Sequence, residues 1–339
     1  MIEINAGGII IIFGKKCNLN CHYCLEKPSG KFKDYVYNPS IIDYLNSDSV
    51  KPYITGKKIY LLMYGGEPLL YIDDIKHFVS NINKDKFQIN MTSNGLLLTD
   101  EIVDFLNSNN MKLNISWDGE NSSNPLSRGY DVLKDKWDTL LKVNNIQFSS
   151  CLTNQSSVKE RFNIINKFNN DYKNIHGYNI RFDFDNLKIT YNYIFNNFDK
   201  VRAEIEELIE LYKTETLEDG DIRKQFIESS FKFYPQNLSS YACTLNKNSF
   251  RLNVEGNFEL CEYDETGMPK ICGHFTDENK TFKTYLNKTF IECYKCSVKS
   301  LCRQCSCPVG GKDEYIESYC NMMRAVCEPI LEFIHSQEK

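Results

Sequence analysis

Residues 8–24 read GIIIIFGKKCNLNCHYC, and the rest of the chain is interpreted outward from them. Residues 8–13, four consecutive isoleucines between a glycine and a phenylalanine, read as a strand. Gly14 closes the run, and three thiols follow as Cys17, Cys21 and Cys24 at C-x3-C-x2-C spacing. A loop of that length wraps three thiolates around one cube of iron and sulfide. Three ligands for four irons leave one metal position open, where a substrate or cofactor binds. The triplet by itself also admits a zinc site, normally closed by four ligands, or three small buried cysteines.

The strand grammar continues downstream. Further strands are expected at 58–64, 87–92, 112–117, 146–152 and 179–184, which with 8–13 makes six. Amphipathic helices lie between them at 39–45, 72–82, 100–107, 130–143 and 158–168. Thr99 stands as N-cap of the third helix, with Asp100 and Glu101 in its first turn, where they complement the helix dipole. Strand and helix in alternation, with right-handed crossovers, give an α/β fold with a parallel sheet, open or curled into a barrel. Either form puts chemistry at the C-terminal ends of the strands. After residue 198 the pattern changes to two charged helices, 199–215 and about 221–234. From 241 onward come short strands, many cysteines and a last helix at about 315–333.

Composition narrows the function. The chain has 339 residues, a formal charge of −5 and 42% hydrophobic residues, enough for a sizeable core. No apolar run approaches the roughly 18–20 residues that span a bilayer, and the N-terminus lacks the flank and cleavage site of a signal peptide. A cytoplasmic protein with no membrane partner is expected. Mild acidity without a basic run argues against nucleic acid. Of 14 cysteines, ten fall between Cys243 and Cys327, so they are grouped ligands or a disulfide framework; the absence of an export signal favours ligands.

Beyond the triplet, Gly65-Gly66-Glu67-Pro68 ends the second strand, Thr92-Ser93-Asn94-Gly95 the third, and Ser116-Trp117-Asp118-Gly119 the fourth. In this order, at strand ends, the segments resemble the radical S-adenosylmethionine superfamily. The resemblance implies a partial (β/α)6 TIM-like barrel over 1–198 and a helical linker over 199–240. It implies that Cys17, Cys21 and Cys24 hold a [4Fe-4S] cluster whose open iron chelates S-adenosylmethionine. Gly65, Gly66, Glu67 and Pro68 would receive the methionine amino group, with Asn94, Ser116, Asp118, Asn154 and Arg128 as further cofactor contacts. Arg128 equally suits a solvated loop, and Asp118 a turn cap.

The C-terminal cysteines continue as Cys243-x12-Gly256-x4-Cys261, Cys272, Cys293-x2-Cys296-x5-Cys302-x2-Cys305-x1-Cys307 and Cys320. This resembles the SPASM domain of peptide- and protein-modifying members, here a small Cys-rich α+β unit at 241–339 with two auxiliary four-iron clusters, three in all. By that pattern Cys243, Cys261 and Cys307 or Cys305 hold the first, with Cys272 or His274 as a fourth ligand. Cys293, Cys296, Cys302 and Cys320 hold the second. The x3 spacing after Cys302 would land on Ser306, so this ligand departs from the pattern. Zinc binding remains the alternative for the Cys293–Cys307 pairs, and Cys327 reads as a small buried residue.

The resemblance points to hydrogen abstraction from a ribosomal peptide, installing a crosslink, a thioether or an epimerised residue. Formylglycine formation on a sulfatase is the second enzymatic reading, and a non-catalytic iron–sulfur or zinc module a third. Glu262, beside Tyr263 and Asp264, stands where sulfatase-maturing relatives carry a base, and Cys151 on the fifth strand is a candidate hydrogen-atom donor; a turn carboxylate and a buried cysteine are the plain alternatives. A low-potential electron donor of flavodoxin or ferredoxin type is implied. With the triplet so near the start, leader recognition is expected to use a separate protein or the barrel itself.

Overall fold

A computed structural model describes residues 1–24, 34–118, 133–189, 193–214, 216–236, 248–263, 269–278, 296–298, 300–302 and 313–337; for 134, 233, 235, 236, 261–263, 269 and 313 it describes the backbone alone. The isoleucine run forms β2 (Gly8–Ile12), with four of its five residues buried. Strands parallel to β2 on both sides explain that burial. On one side lies β4 (Ile59–Tyr64), followed outward by β5 (Phe87–Ser93), β6 (Lys112–Ser116), β7 (Ile146–Cys151) and the short β8 (Leu187–Lys188). On the other lies β9 (Ser249–Asn253), which pairs with β2 from Gly8↔Ser249 to Ile12↔Asn253. Antiparallel β10 (Asn257–Tyr263) and β11 (Pro269–His274) complete a nine-stranded sheet. A separate parallel pair joins β1 (Ile4–Ala6) to β3 (Val50–Pro52).

Helices α1 (Ser40–Asn46), α2 (Ile72–Asn81), α3 (Asp100–Ser108), α4 (Trp137–Leu141) and α5 (Val158–His176) connect the strands. Thr99 caps α3 by accepting from the Ile102 amide at 3.3 Å, as expected. Ser157 does the same for α5 through Glu160, and Gly177 ends that helix at φ +76°. The fourth helix is shorter than the periodicity suggests: within 133–143 a 3-10 turn at Lys134–Lys136 precedes α4. Trp117, Trp137, Phe148 and Phe168 pack edge-on or tilted between α4, α5 and the sheet.

The sixth strand differs from expectation. The 179–184 segment does not join the ladder, because helix side chains take its amides. Asn169 Oδ1 accepts from Ile180, Gln225 Oε1 from Phe182 and Ser229 Oγ from Phe184, at 2.7–3.1 Å. Pairing with β7 resumes only at Leu187 and Lys188.

Helices α6 (Phe198–Lys213) and α7 (Ile222–Gln236) bury Val201, Ile205, Leu208, Ile209, Phe226 and Ile227. The last helix, α8 (Asp313–Gln337), packs along α6, where Arg202 meets Glu328 at 2.9 Å and Glu332 at 3.6 Å. Among the described residues no helix is long and apolar enough to cross a membrane.

Candidate active site at the strand ends

The cysteine loop leaves β2 and is met at once by the turn that follows β4. The Gly66 amide donates to the Gly14 carbonyl at 3.0 Å, and the Glu67 amide to the Lys16 carbonyl at 2.8 Å. Only glycine permits this approach: a Cβ on Gly66 would lie 2.0 Å from the Lys16 oxygen, and Gly65 sits at φ +127° with the Gly14 oxygen 2.6 Å from its Cβ position. Pro68 opens the following 3-10 turn, Pro68–Tyr71, for which Glu67 is the cap.

Glu67 is buried, and its carboxylate is used inside the chain. Oε1 accepts from the Leu69 amide at 3.0 Å and from Ser93 Oγ at 2.7 Å, while Oε2 accepts from the Asn94 amide at 2.8 Å. The ends of β4 and β5 are thereby stitched together. Asn94 extends the stitch to the loop, donating from Nδ2 to Asn18 Oδ1 at 2.7 Å, with Cys17 Sγ 3.9 Å away. The resemblance gives the backbone and carboxylate of this segment to an incoming ammonium; in the fold the Glu67 carboxylate also braces the site.

Asp118, at the end of β6, makes a second tether. It accepts from the Tyr23 hydroxyl, inside the cysteine triplet, and at 2.7 Å from the amide of Cys151, the last residue of β7. Tyr23 and Asp118 are both buried, as is Ser116. Cys17, Cys21 and Cys24 are each partly exposed, and the Cys24 amide bonds to the Cys21 carbonyl at 3.2 Å. Three soft donors on one loop, tethered through Asn94 and Tyr23, fit an iron–sulfur cluster. Among the described residues no three His, Cys, Asp or Glu side chains gather as they would around one metal ion. Thiolates on separate irons of a cube need not gather that closely.

Cys151 is partly exposed, and its carbonyl accepts from the guanidinium of buried Arg161, which also donates to Ser150 Oγ and Ser156 Oγ. Asn154 faces a segment of the chain: its amide donates to Tyr193 Oη at 3.3 Å, Nδ2 donates to the Ile194 carbonyl at 2.9 Å, and Oδ1 accepts from the Asn196 amide at 2.7 Å. Arg128 lies outside the described residues.

In the C-terminal region, β10 and β11 slip register twice. Phe258 pairs with Gly273 and Glu259 with Ile271, leaving Cys272 unmatched on β11; Tyr263 pairs with Pro269, leaving Leu260, Cys261 and Glu262 opposite one residue. Such bulges re-aim side chains beside sites. Cys272 lies at the exposed sheet edge with its sulfur 3.5 Å from the Phe258 carbonyl, and burial of the thiol raises its pKa to about 11, with the Glu259 carboxylate adding to the shift. His274 is occupied by Thr276 Oγ1 at 2.7 Å and the Glu255 carbonyl at 3.1 Å.

Cys296, Cys302 and Cys320 are half-buried against the core, and Cys327 on α8 is fully buried, as expected. Tyr319 lies among them: burial pushes its hydroxyl pKa well up, with Cys302, Cys327 and Cys320 adding to the shift. Cys243, Cys293, Cys305, Cys307 and Asp264 fall outside the described residues, as do the side chains of Cys261, Glu262 and Tyr263.

Sequence reasoning did not single out the Tyr23 hydroxyl, Arg161, Tyr193 or Glu259. Tyr23 alone had a visible signal, its place within the triplet. The other three gain their meaning from partners between about 10 and more than 200 residues away.

Residues 11–172 match the profile of the radical SAM superfamily. The chain is 28% identical to a GTP 3′,8-cyclase of Clostridium perfringens over 166 residues, 46% of either chain. It is 27% identical to the radical SAM cyclopropyl synthase TigE of Paramaledivibacter caminithermalis over 183 residues, 48% of this chain and 37% of that one. The matched stretch thus spans about half or less of these curated relatives. Native anSMEcpe with bound AdoMet superposes with a TM-score of 0.59 at 14% identity, covering 97% of this chain and 99% of that one. Streptococcus suis SuiB bound to S-adenosylmethionine gives 0.58 at 15%, covering 89% and 73%. At such identities the likeness is one of fold.

Proposed function

We propose that this chain, whose residues 11–172 match the profile of the radical SAM superfamily, cleaves S-adenosylmethionine reductively and removes a hydrogen atom from a ribosomal peptide to install a crosslink, thioether or epimerised residue. The observation that carries the reading is the loop of Cys17, Cys21 and Cys24, laced by Gly66 and Glu67 to the strand ends of a parallel sheet. Cys17, Cys21 and Cys24 would hold a four-iron cluster, which would supply the single electron that reductive cleavage of S-adenosylmethionine needs. The chain does the positioning. Glu67, its carboxylate held by Leu69, Ser93 and Asn94, fixes the 65–68 segment whose backbone and carboxylate would receive the methionine ammonium. Asn94, whose amide bonds to Glu67, and Ser116, at the end of β6, are buried polar groups at the strand ends.

The six parallel strands β2, β4, β5, β6, β7 and β8 are read as the partial barrel, followed by linker helices and a SPASM domain at 241–339. There Cys243, Cys261, Cys272 and Cys307 or Cys305 would hold one auxiliary cluster, and Cys293, Cys296, Cys302 and Cys320 the other. The bulges at Cys261 and Cys272 support the first set. The second is supported by placement: Cys296, Cys302 and Cys320 are all half-buried against the same core. A peptide substrate is supported by the shared fold of anSMEcpe, also solved with AdoMet and the Cp18Cys peptide at a TM-score of 0.59. A flavodoxin- or ferredoxin-type donor in the cytoplasm and a separate leader-recognition protein complete the proposal, with Cys151, Glu262, Tyr263 and Asp264 as the groups to test for hydrogen or proton transfer.

The test is iron and sulfide per chain after anaerobic reconstitution, with 5′-deoxyadenosine measured after reduction and addition of S-adenosylmethionine. Three clusters give about 12 irons, and a triple Cys17/Cys21/Cys24→Ala variant about 8 with no nucleoside. About 4 irons plus zinc would make the C-terminal cysteines a zinc fold, and absence of nucleoside from the native chain would overturn the enzymatic reading. An aldehyde formed on a Cys- or Ser-containing sulfatase peptide would replace peptide crosslinking with formylglycine formation.

A further inference from the structure

We propose that Tyr193 is a positioning residue for the cysteine loop, the outer wall against which His22 is held between Cys21 and Cys24. The His22 ring lies 5.0 Å from Tyr193 at 50° and 5.0 Å from Tyr23 at 76°. Tyr23 on its own account is tied to Asp118. The His22–Tyr23 pair is therefore gripped from two sides, by the end of β6 through Asp118 and by the segment 193–197 through Tyr193.

That segment is a strap pinned at both ends. At the end of β7, Asn154 engages Tyr193, Ile194 and Asn196, and Asn197 Nδ2 donates to the Thr153 carbonyl at 3.0 Å. Toward the C-terminal region, the buried ring of Phe195 meets Tyr193 edge-on at 5.0 Å, and the Phe195 amide donates to Ser318 Oγ on α8 at 2.7 Å. Ser318 is two residues before Cys320. Asn154 thus acts through Tyr193: its side-chain donor and acceptor both serve the strap, and no contact of its own with a cofactor is needed to make it matter. Ring contacts at this distance are small against the whole fold but ample to set the conformation of a four-residue turn.

The consequence for a cluster rests on the function proposed above, whereas the consequence for the thiols does not. The first measurement is made on the metal-free full chain under reducing conditions, as alkylation by iodoacetamide followed at each cysteine by mass spectrometry. Tyr193→Leu is expected to raise the rates at Cys21 and Cys24 several-fold and to leave Cys296, Cys302, Cys320 and Cys327 unchanged. Tyr193→Phe, which keeps the ring and gives up only the 3.3 Å hydrogen bond from the Asn154 amide, should stay close to the native chain, and Ser318→Ala, which loosens the far anchor, should give a rise smaller than that of Tyr193→Leu at the same two positions. Unchanged rates in Tyr193→Leu would overturn the proposal, and so would a rise at every cysteine alike, which would mean general loosening.

The second measurement is the change in the electron paramagnetic resonance spectrum of the reduced, reconstituted protein on adding S-adenosylmethionine. Tyr193→Leu should alter this change and Tyr193→Phe should preserve it; identical spectra in the native chain and both variants count against the proposal. If the native chain takes up no iron, the functional reading falls while the alkylation result still decides the role of Tyr193.

Discussion

The cysteine loop and the β10–β11 hairpin stand on opposite flanks of β2, and each is organised around a buried glutamate, but the glutamates are satisfied differently. Glu67 takes two backbone amides and one short hydroxyl, all from the turns it joins. Glu259 takes long side chains: Tyr35 Oη at 2.7 Å, Asn253 Nδ2 at 3.0 Å and the Arg251 guanidinium at 3.8 Å. The first arrangement is rigid and local, with glycines fixed by close backbone approach. The second reaches across the fold, because Tyr35 belongs to the chain emerging from the cysteine loop. Val36 and Asn38 follow it, bonding to Glu255 and the Val254 carbonyl. The hairpin therefore holds the exit of the loop whose entrance Glu67 and Gly66 hold.

Breaking the local arrangement should cost most. Glu67→Ala strands two amides and a hydroxyl in a buried site, each worth about 1–3 kcal/mol, so a loss of about 4 kcal/mol is expected in denaturant unfolding, together with loss of S-adenosylmethionine binding. Glu67→Gln, which must turn an NH2 toward one of the same donors, should lose about half as much. A wild-type unfolding curve for Glu67→Ala would show that the carboxylate is not the brace.

Breaking the long-range arrangement should cost less, because side chains relax. Glu259→Ala is expected to destabilise by about 2–3 kcal/mol, since it removes the acceptor of Tyr35 and Asn253 and the charge facing Arg251. Its distinguishing effect should be remote: faster hydrogen exchange at residues 35–38, with the amides of 66–69 protected as before. Equal loosening at both places would erase the distinction between the two flanks.

Five of the six expected strands form within a residue or two of where periodicity placed them, because their side chains carry the pattern themselves. The sixth was misplaced for a reason absent from its own residues: Asn169, Gln225 and Ser229, on two helices, capture its amides. The pairing of β9 with β2 joins residues more than 200 positions apart and leaves no local trace. At the site, the close backbone approach at Gly65 and Gly66 is legible because glycine content encodes it. Residue type does not reveal whether a polar side chain serves a ligand or its own chain, and Glu67 and Asn154 spend their oxygens internally.

The smallest effect sharpens the comparison most, since it reads the field of Glu259 at one sulfur. Cys272 lies in the bulge beside Glu259, its pKa raised to about 11 first by burial and further by that carboxylate. The thiol form is favoured in the fold, so alkylation at Cys272 in the metal-free chain should keep accelerating from pH 9 to about 11, where an ordinary thiol, with a pKa of about 8.5, has levelled off. The sign for stability follows. An unfolded chain loses this proton first, so the contribution of Cys272 is whole below the ordinary thiol pKa and is lost as pH rises through about 11. Glu259→Gln removes the negative charge and leaves the burial, and should shift the Cys272 profile to lower pH. A profile that levels off near 9 in the native chain would mean that the thiol is solvated, and no shift in Glu259→Gln would mean that burial acts alone.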